Sequence, residues 1–285
     1  MRENEFSFLP KHNIMAFNSI KTVLLVGDSY SEFVSRIAPV RNFENKKPLI
    51  LLKEPLERYG FEFLDYSHYM HDEYQRKKMT YVKGLFPIIK AGSIEDAEEI
   101  SETLNLFDTV NNSRVYIITD KPGAGTVISD YITSDRISPR LPLASISKKA
   151  CDTLVRELKS NIYRANPVSL NAGCTFKQCR RLIEAALEDV FIDIIIIILK
   201  ENSVNLKDAL ISVAKEEDVR KPLFIILPNE KMRENEFSFL PKHNIMAFNS
   251  IKKAAIAVKN EVIYSQPDKI IIRTKTTGGL KYEFI

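Results

Sequence analysis

Short apolar runs alternate with amphipathic stretches along most of this chain. VLLV at Val23–Val26 is a buried-strand pattern closing on Gly27-Asp28-Ser29, and SEFVSRIAPV follows with helical spacing. Pro48–Leu52 predicts the next strand, residues 72–83 a helix, and Pro87–Lys90 a further strand. Ser93 then opens a helix running to about Leu106, with Asp96 placed close to a capping box. A second series starts at Arg114: VYIITD as strand, DKPGAG as turn, TVISDYITS as helix, SKKACDTLVREL as helix and NPVSL as strand. In the next helix, FKQCRRLIEAALEDV, residues Phe176, Cys179, Leu182, Ile183, Ala186, Leu187 and Val190 share one face. IDIIIIIL has no polar alternation, which marks a central parallel strand covered on both faces. NLKDALISVAKEED and KPLFIILP repeat the unit, and KIIIRTKTTGGLKYEF predicts a hairpin about Gly278-Gly279. Alternating strand and helix implies an α/β fold, with doubly wound parallel sheets in two domains and a short C-terminal β-hairpin.

The division expected from this pattern is an N-terminal arm at 1–22, one domain at 23–112, another at 113–265, and a hairpin tail at 266–285. The arm carries an exact repeat. Residues 1–21, MRENEFSFLPKHNIMAFNSIK, recur unchanged at 232–252. Repeat architectures are diverged and present in several copies, so perfect identity points to a recent duplication or an artefact of sequence assembly. The competing reading is a pair of identical surface elements. The second copy predicts a strand at NIMAF and a helix from SIKKAAIAVKNEV. The first leads directly into TVLLVGD and reads as a frayed or docked arm.

Composition narrows the class. The chain has 285 residues, 41 basic and 37 acidic side chains and a net charge of +4, with both signs mixed. Such a weak, scattered charge argues against a nucleic-acid or membrane partner. There is no apolar run of spanning length and no signal-peptide core at the start, and three cysteines suit a reducing compartment, so the expected location is the cytoplasm.

Two places could carry chemistry. The first is the turn Thr119–Gly125, where Gly123, Ala124 and Gly125 lie between a strand and a helix. Glycines there let backbone approach an anion at the helix N-terminus; equally, they serve tight packing. The second is Tyr66-Ser67-His68-Tyr69-Met70-His71, with histidines at i, i+3. It reads either as a loop or as a nucleophilic, phosphate-carrying histidine. No third ligand accompanies the pair, and Cys174-x4-Cys179 is not a zinc spacing, so no metal is expected. VLLVGDSY also looks like the first block of the Gly-Asp-Ser esterases with Ser29 as nucleophile, but the sequence has no Gly-x-Asn-Asp block.

Taken in order, Glu32-Phe33, the run to Lys46–Lys53, Ser67-His68, Ile88-Ile89-Lys90 with SIEDAEEI, RVYIITDKPGAGTVISDYI, Asn166–Leu170, FIDIIIIIL and KPLFIIL resemble one family. It is the paired flavodoxin-like domains of the NDP-forming acyl-CoA synthetases, relatives of the succinyl-CoA synthetase α subunit. The resemblance implies that His68 is the transient phosphohistidine, and that Ser67 with Gly123, Ala124 and Gly125 binds its phosphate. Where the family has Thr-Gly after the histidine, this chain has Tyr69-Met70. No Gly-rich CoA-binding domain precedes residue 23 and no ATP-grasp domain is evident. The expectation is therefore a non-catalytic or partner-dependent homologue, a structural, assembly or ligand-binding subunit. The alternative is an active subunit of a split acyl-CoA synthetase. Either would form a homo- or hetero-oligomer and bind no cofactor tightly, with phosphate, CoA or nucleotide engaged only alongside CoA-binding and ATP-grasp chains.

Overall fold

The structure is a computed structural model. It describes strands at 6–9, 14–18, 23–26, 49–52 and 88–91, most of the chain from 94 to 265, and strands at 272–276 and 279–283. Within 94–265, residues 108–109, 111, 135–138, 159–164, 172, 217–218, 230 and 233–235 lie outside the description. The chain divides into two compact units, Met1–Asn105 with Pro267–Ile285, and Leu106–Gln266.

In the first unit, β1 (Phe6–Leu9), β2 (Ile14–Asn18), β3 (Val23–Val26), β4 (Leu49–Leu52) and β5 (Ile88–Ala91) form one sheet in sequential order. β3, β4 and β5 are parallel, as the apolar runs predict. β1 and β2 add antiparallel strands on the β3 side. Only a few residues separate Leu9 from Ile14 and Asn18 from Val23, and a parallel crossover needs roughly a dozen. The N-terminal arm is thus a hairpin docked on the sheet. Helix α1 (Ile94–Leu106) follows β5. The predicted helix at 72–83 lies outside the described residues. The C-terminal strands β11 (Ile272–Thr276) and β12 (Gly279–Glu283) pair antiparallel, with Thr276 opposite Gly279.

The second unit is a doubly wound sheet. Its strands are β6 (Val115–Thr119), β7 (Val168–Ser169), β8 (Ile194–Ile198), β9 (Leu223–Ile226) and β10 (Ile245–Phe248). They lie in the order β10-β9-β8-β6-β7 and every pair is parallel. Read from β7, this is the 2-1-3-4-5 order of flavodoxin-like folds. The helices are α2 (Ala124–Thr133), α3 (Lys148–Leu158), α4 (Phe176–Glu188), α5 (Asn205–Glu216) and α6 (Ile251–Ser265).

Strand alternation sorts the core into two layers. Tyr116, Ile118, Ile195, Ile197, Leu223 and Ile225 point to the face covered by α3, α4 and α5. Val115, Ile117, Ile194, Ile196, Phe224 and Ile226 point to the face covered by α2 and α6. All five isoleucines of β8 are buried, because both of its faces are covered. Arg114 and Asp193 fasten the starts of β6 and β8. Arg114 Nε donates to Asp193 Oδ2 at 2.7 Å, its Nη2 to Oδ1 at 3.0 Å, and its backbone N–H to Oδ2 at 3.0 Å.

The repeated segment has two structures. In the first copy, Phe6–Leu9 is a strand. In the second, the same four residues, Phe237–Leu240, run through a bend into a 3-10 turn (Leu240–His243). Ile-Met-Ala-Phe is a strand in both copies, antiparallel to two neighbours at 14–17 and parallel to β9 at 245–248.

Candidate functional site

In an open parallel sheet, ligands bind outside the carboxyl ends of the strands, where the winding direction reverses. In the second unit that point lies between β6 and β8. The turn Thr119–Gly125 stands there, at the end of β6.

Side chains stitch this edge closed. Thr119 Oγ1 donates to the Ile198 carbonyl (3.1 Å), and the Lys121 N–H donates to Thr119 Oγ1 (2.9 Å). Asp120 Oδ1 accepts the Lys200 N–H (2.8 Å), joining the turn after β6 to that after β8. On the other side, the Leu170 N–H donates to the Thr119 carbonyl (2.7 Å).

Each glycine has a local task. Gly123 is the N-cap of α2 at φ 75°, a left-handed conformation that side chains with a Cβ resist. Gly125 packs on Pro167: a Cβ added to it would stand 2.7 Å from Pro167 Cβ and 3.3 Å from Thr119 Cγ2. The first amides of a helix have no intrahelical acceptor. Here the Ala124 N–H donates to the Lys121 carbonyl (3.2 Å) and that of Val127 to Gly123 (3.2 Å). The helix itself leaves the N–H groups of Gly125 and Thr126 open, at its positive end. Of the Gly123–Gly125 stretch, the Ala124 N–H is thus already engaged, and Gly125 is itself buried.

Pro167 is held by its neighbour. The Asn166 side chain accepts from the Ile117 N–H (3.0 Å) and donates to the carbonyls of Val115 and Ala144 (both 2.8 Å). It extends the ladder that β7, only two residues long, makes with β6. The Asn166–Pro167 peptide is cis. Sequence reasoning took Asn166 only as the start of the run Asn166–Leu170 and gave it no role; its signal was an Asn-Pro step opening a short strand beside the central one.

Across this edge, Thr175 caps α4. Its hydroxyl accepts the Gln178 N–H (3.3 Å) while Gln178 Oε1 accepts the Thr175 N–H (2.9 Å). This capping box is legible as Thr175-Phe-Lys-Gln178. Cys174 and Cys179 are both buried, their sulfurs 3.7 Å apart. The Cys179 thiol is pushed well above its ordinary pKa, first by its hydrogen bond to Cys174 and then by burial.

Of the expected site residues, Gly123, Ala124 and Gly125 are placed at this edge. Ser67, His68 and His71 lie outside the described residues, as do His12 and Ser29. His243 closes the 3-10 turn, its ring edge-on to Phe239 at 5.7 Å. Among the described residues, no group of three His, Cys, Asp or Glu side chains could hold a metal, and no helix is long and apolar enough to cross a membrane.

The second unit is therefore an α/β, flavodoxin-like domain with its candidate site at the β6–β8 switch. No protein-family profile and no curated protein matches the chain. Solved structures do. The dinucleotide-forming acetyl-coenzyme A synthetase 1 of Ca. Korarchaeum cryptofilum is similar in its form with phosphate and ADP, at 18% identity and TM-score 0.62, covering 86% of this chain and 52% of that one. Its apo form matches at 19% identity and TM-score 0.61 over the same shares. PH0766 from Pyrococcus horikoshii OT3 matches at 18% and TM-score 0.60, covering 84% of this chain and 49% of that one. The likeness is one of fold, and the chain spans about half the length of these neighbours.

Proposed function

We propose that this chain is a non-catalytic or partner-dependent homologue of the succinyl-CoA synthetase-like part of an NDP-forming acyl-CoA synthetase, acting as a structural, assembly or ligand-binding subunit in the cytoplasm. Fold coverage supports the synthetase-like part of this reading: 86% of the chain matches 52% of the length of a synthetase. The closed β6–β8 edge supports it too, since Gly123 and Gly125 each serve the backbone and packing around them. In this reading phosphate, CoA or nucleotide is engaged only alongside CoA-binding and ATP-grasp partners, and neither nucleic acid nor membrane is a partner.

One observation favours a second reading, the active subunit of a split synthetase. The N–H groups of Gly125 and Thr126 remain as first-turn donors at the positive end of α2. In that reading they would bind the phosphate of a phosphohistidine, the role the family resemblance gives to His68, with Ser67 among the phosphate-binding residues. Phosphate supplies the group to be transferred; this chain's part is to orient it by amide dipoles.

The experiment is labelling of the whole chain with phosphorus-labelled acetyl phosphate, compared with His68→Ala, together with light scattering of the chain lacking residues 266–285. The structural reading expects no acid-labile label on either protein and a lower oligomeric mass after the deletion. Acid-labile label on the unaltered chain, lost in His68→Ala, establishes the active reading instead.

A further inference from the structure

The same sheet edge carries a dithiol that the acyl-CoA synthetase reading does not use. Cys174 lies in the loop after β7 and Cys179 in the second turn of α4. Their sulfurs are 3.7 Å apart, against a bonded distance of ~2.0 Å, so closure asks for about 1.7 Å of approach. The backbone on both sides is fixed. The Cys174 N–H donates to the Asn171 carbonyl (3.1 Å), its own carbonyl accepts from Asn205 Nδ2 (2.9 Å), and the Cys179 N–H donates to Thr175 (3.0 Å). Both thiols are buried, Cys179 at 1% exposure and Cys174 at 7%, so the less covered Cys174 is the one an external disulfide reaches first. The third cysteine, Cys151, is buried on α3.

We propose that Cys174 and Cys179 are a modification site, a dithiol that closes to an intramolecular disulfide by exchange with a small-molecule disulfide such as glutathione disulfide. The Cys174 thiolate attacks one sulfur of glutathione disulfide and expels one glutathione thiolate. Cys179 gives its proton to that base and its sulfur attacks Cys174 Sγ, breaking the mixed disulfide and releasing the second glutathione. Two protein thiols are oxidised and one external disulfide is reduced to two thiols, so electrons and protons balance. The hydrogen bond from Cys179 to Cys174 keeps the Cys179 proton on until the first step has replaced its acceptor, which makes Cys174 the entry point. The bond formed would clamp the loop after β7 to the start of α4, beside the turn that holds Asp120.

The test is native incubation of the reduced chain with glutathione disulfide, acid quench, alkylation in denaturant and peptide mapping. The expected product has lost the mass of two hydrogens, is alkylated only at Cys151, and yields a linked peptide joining 174 to 179. Cys174→Ala and Cys179→Ser each abolish that product; because either could perturb the core, the map of the unaltered chain is decisive. Alkylation at all three cysteines, stable glutathione adducts, or a link that includes Cys151 would overturn the proposal.

Discussion

Gly125 packs against Pro167 so closely that a Cβ on the glycine would stand 2.7 Å from Pro167 Cβ and 3.1 Å from its Cγ. The contact joins the first turn of α2 to the start of β7. It also separates the roles of two glycines that look alike in sequence. A Cβ on Gly125 meets a rigid ring, whereas a Cβ on Gly123 meets nothing within 4 Å and is opposed only by its φ of 75°. Gly125→Ala is expected to destabilise the second unit by about 1–3 kcal/mol through overpacking. Gly123→Ala should cost about 1–2 kcal/mol through backbone strain, and Gly123→Asn less. Urea unfolding followed by hydrogen exchange in β6 measures both. Equal losses for Gly123→Ala and Gly123→Asn would refute the backbone explanation.

Asn166 acts as a missing strand residue. Its side chain satisfies one N–H and two carbonyls of neighbouring backbone, and Ile117, whose N–H it accepts, is fully buried. Asn166→Ala leaves that N–H without its acceptor, and an unpaired buried donor costs about 1–3 kcal/mol. Asn166→Asp restores the acceptor but loses both donated bonds. The expected order of stability is therefore unaltered chain, then Asp, then Ala, read as Ile117 amide exchange. Unchanged protection at Ile117 in Asn166→Ala would show that β6 does not depend on this side chain.

Much of this architecture is legible in the sequence. The unbroken apolar run at 194–199 announces a strand covered on both faces, and the amphipathic stretch at 176–190 announces the helix over it. The stitching of the site is not legible, since Asn166 reaches Ile117 and Asp120 reaches Lys200 across 49 and 80 residues. No local pattern encodes such a contact. The repeat makes the limit concrete: Phe-Ser-Phe-Leu is a strand at 6–9 and a bend entering a 3-10 turn at 237–240. Identical residues differ because the first copy meets a neighbouring strand in a hairpin while the second is drawn into the link between β9 and β10. His68, on which the catalytic reading turns, lies outside the described residues, so the chemistry of the expected site rests on its glycine half.

The second copy of the repeat is the one built into the second unit. Phe248, at the end of β10, is 1% exposed and stacks on Phe224, with ring centroids 6.2 Å apart; Phe224 in turn packs on Phe107 at 4.9 Å. Phe248→Ala is expected to cost about 3–5 kcal/mol. Deleting residues 1–21 should leave amide protection in 245–248 unchanged. Loss of that protection on deletion would mean that the N-terminal copy supports β10.

Acid should loosen the Arg114–Asp193 clasp. Burial alone would raise the Asp193 pKa, but the hydrogen bonds and charge of Arg114 outweigh it and hold the carboxyl below its ordinary 3.8. The folded chain then binds fewer protons here than the unfolded chain, so stability rises with pH across this window. The contribution is complete above about pH 4 and is lost as pH falls through the lowered folded value. Because Arg114 is partly exposed, the effect is modest and screened by salt. Asp193→Asn should lower the melting temperature at pH 7 but flatten its decline between pH 4 and 2. Arg114→Met removes the cation while leaving Asp193 part-buried, so its loss at pH 7 should exceed that of Asp193→Asn. Melting curves at pH 7, 4 and 3 for the three proteins decide the matter: parallel declines in all three would assign the acid sensitivity to other carboxylates.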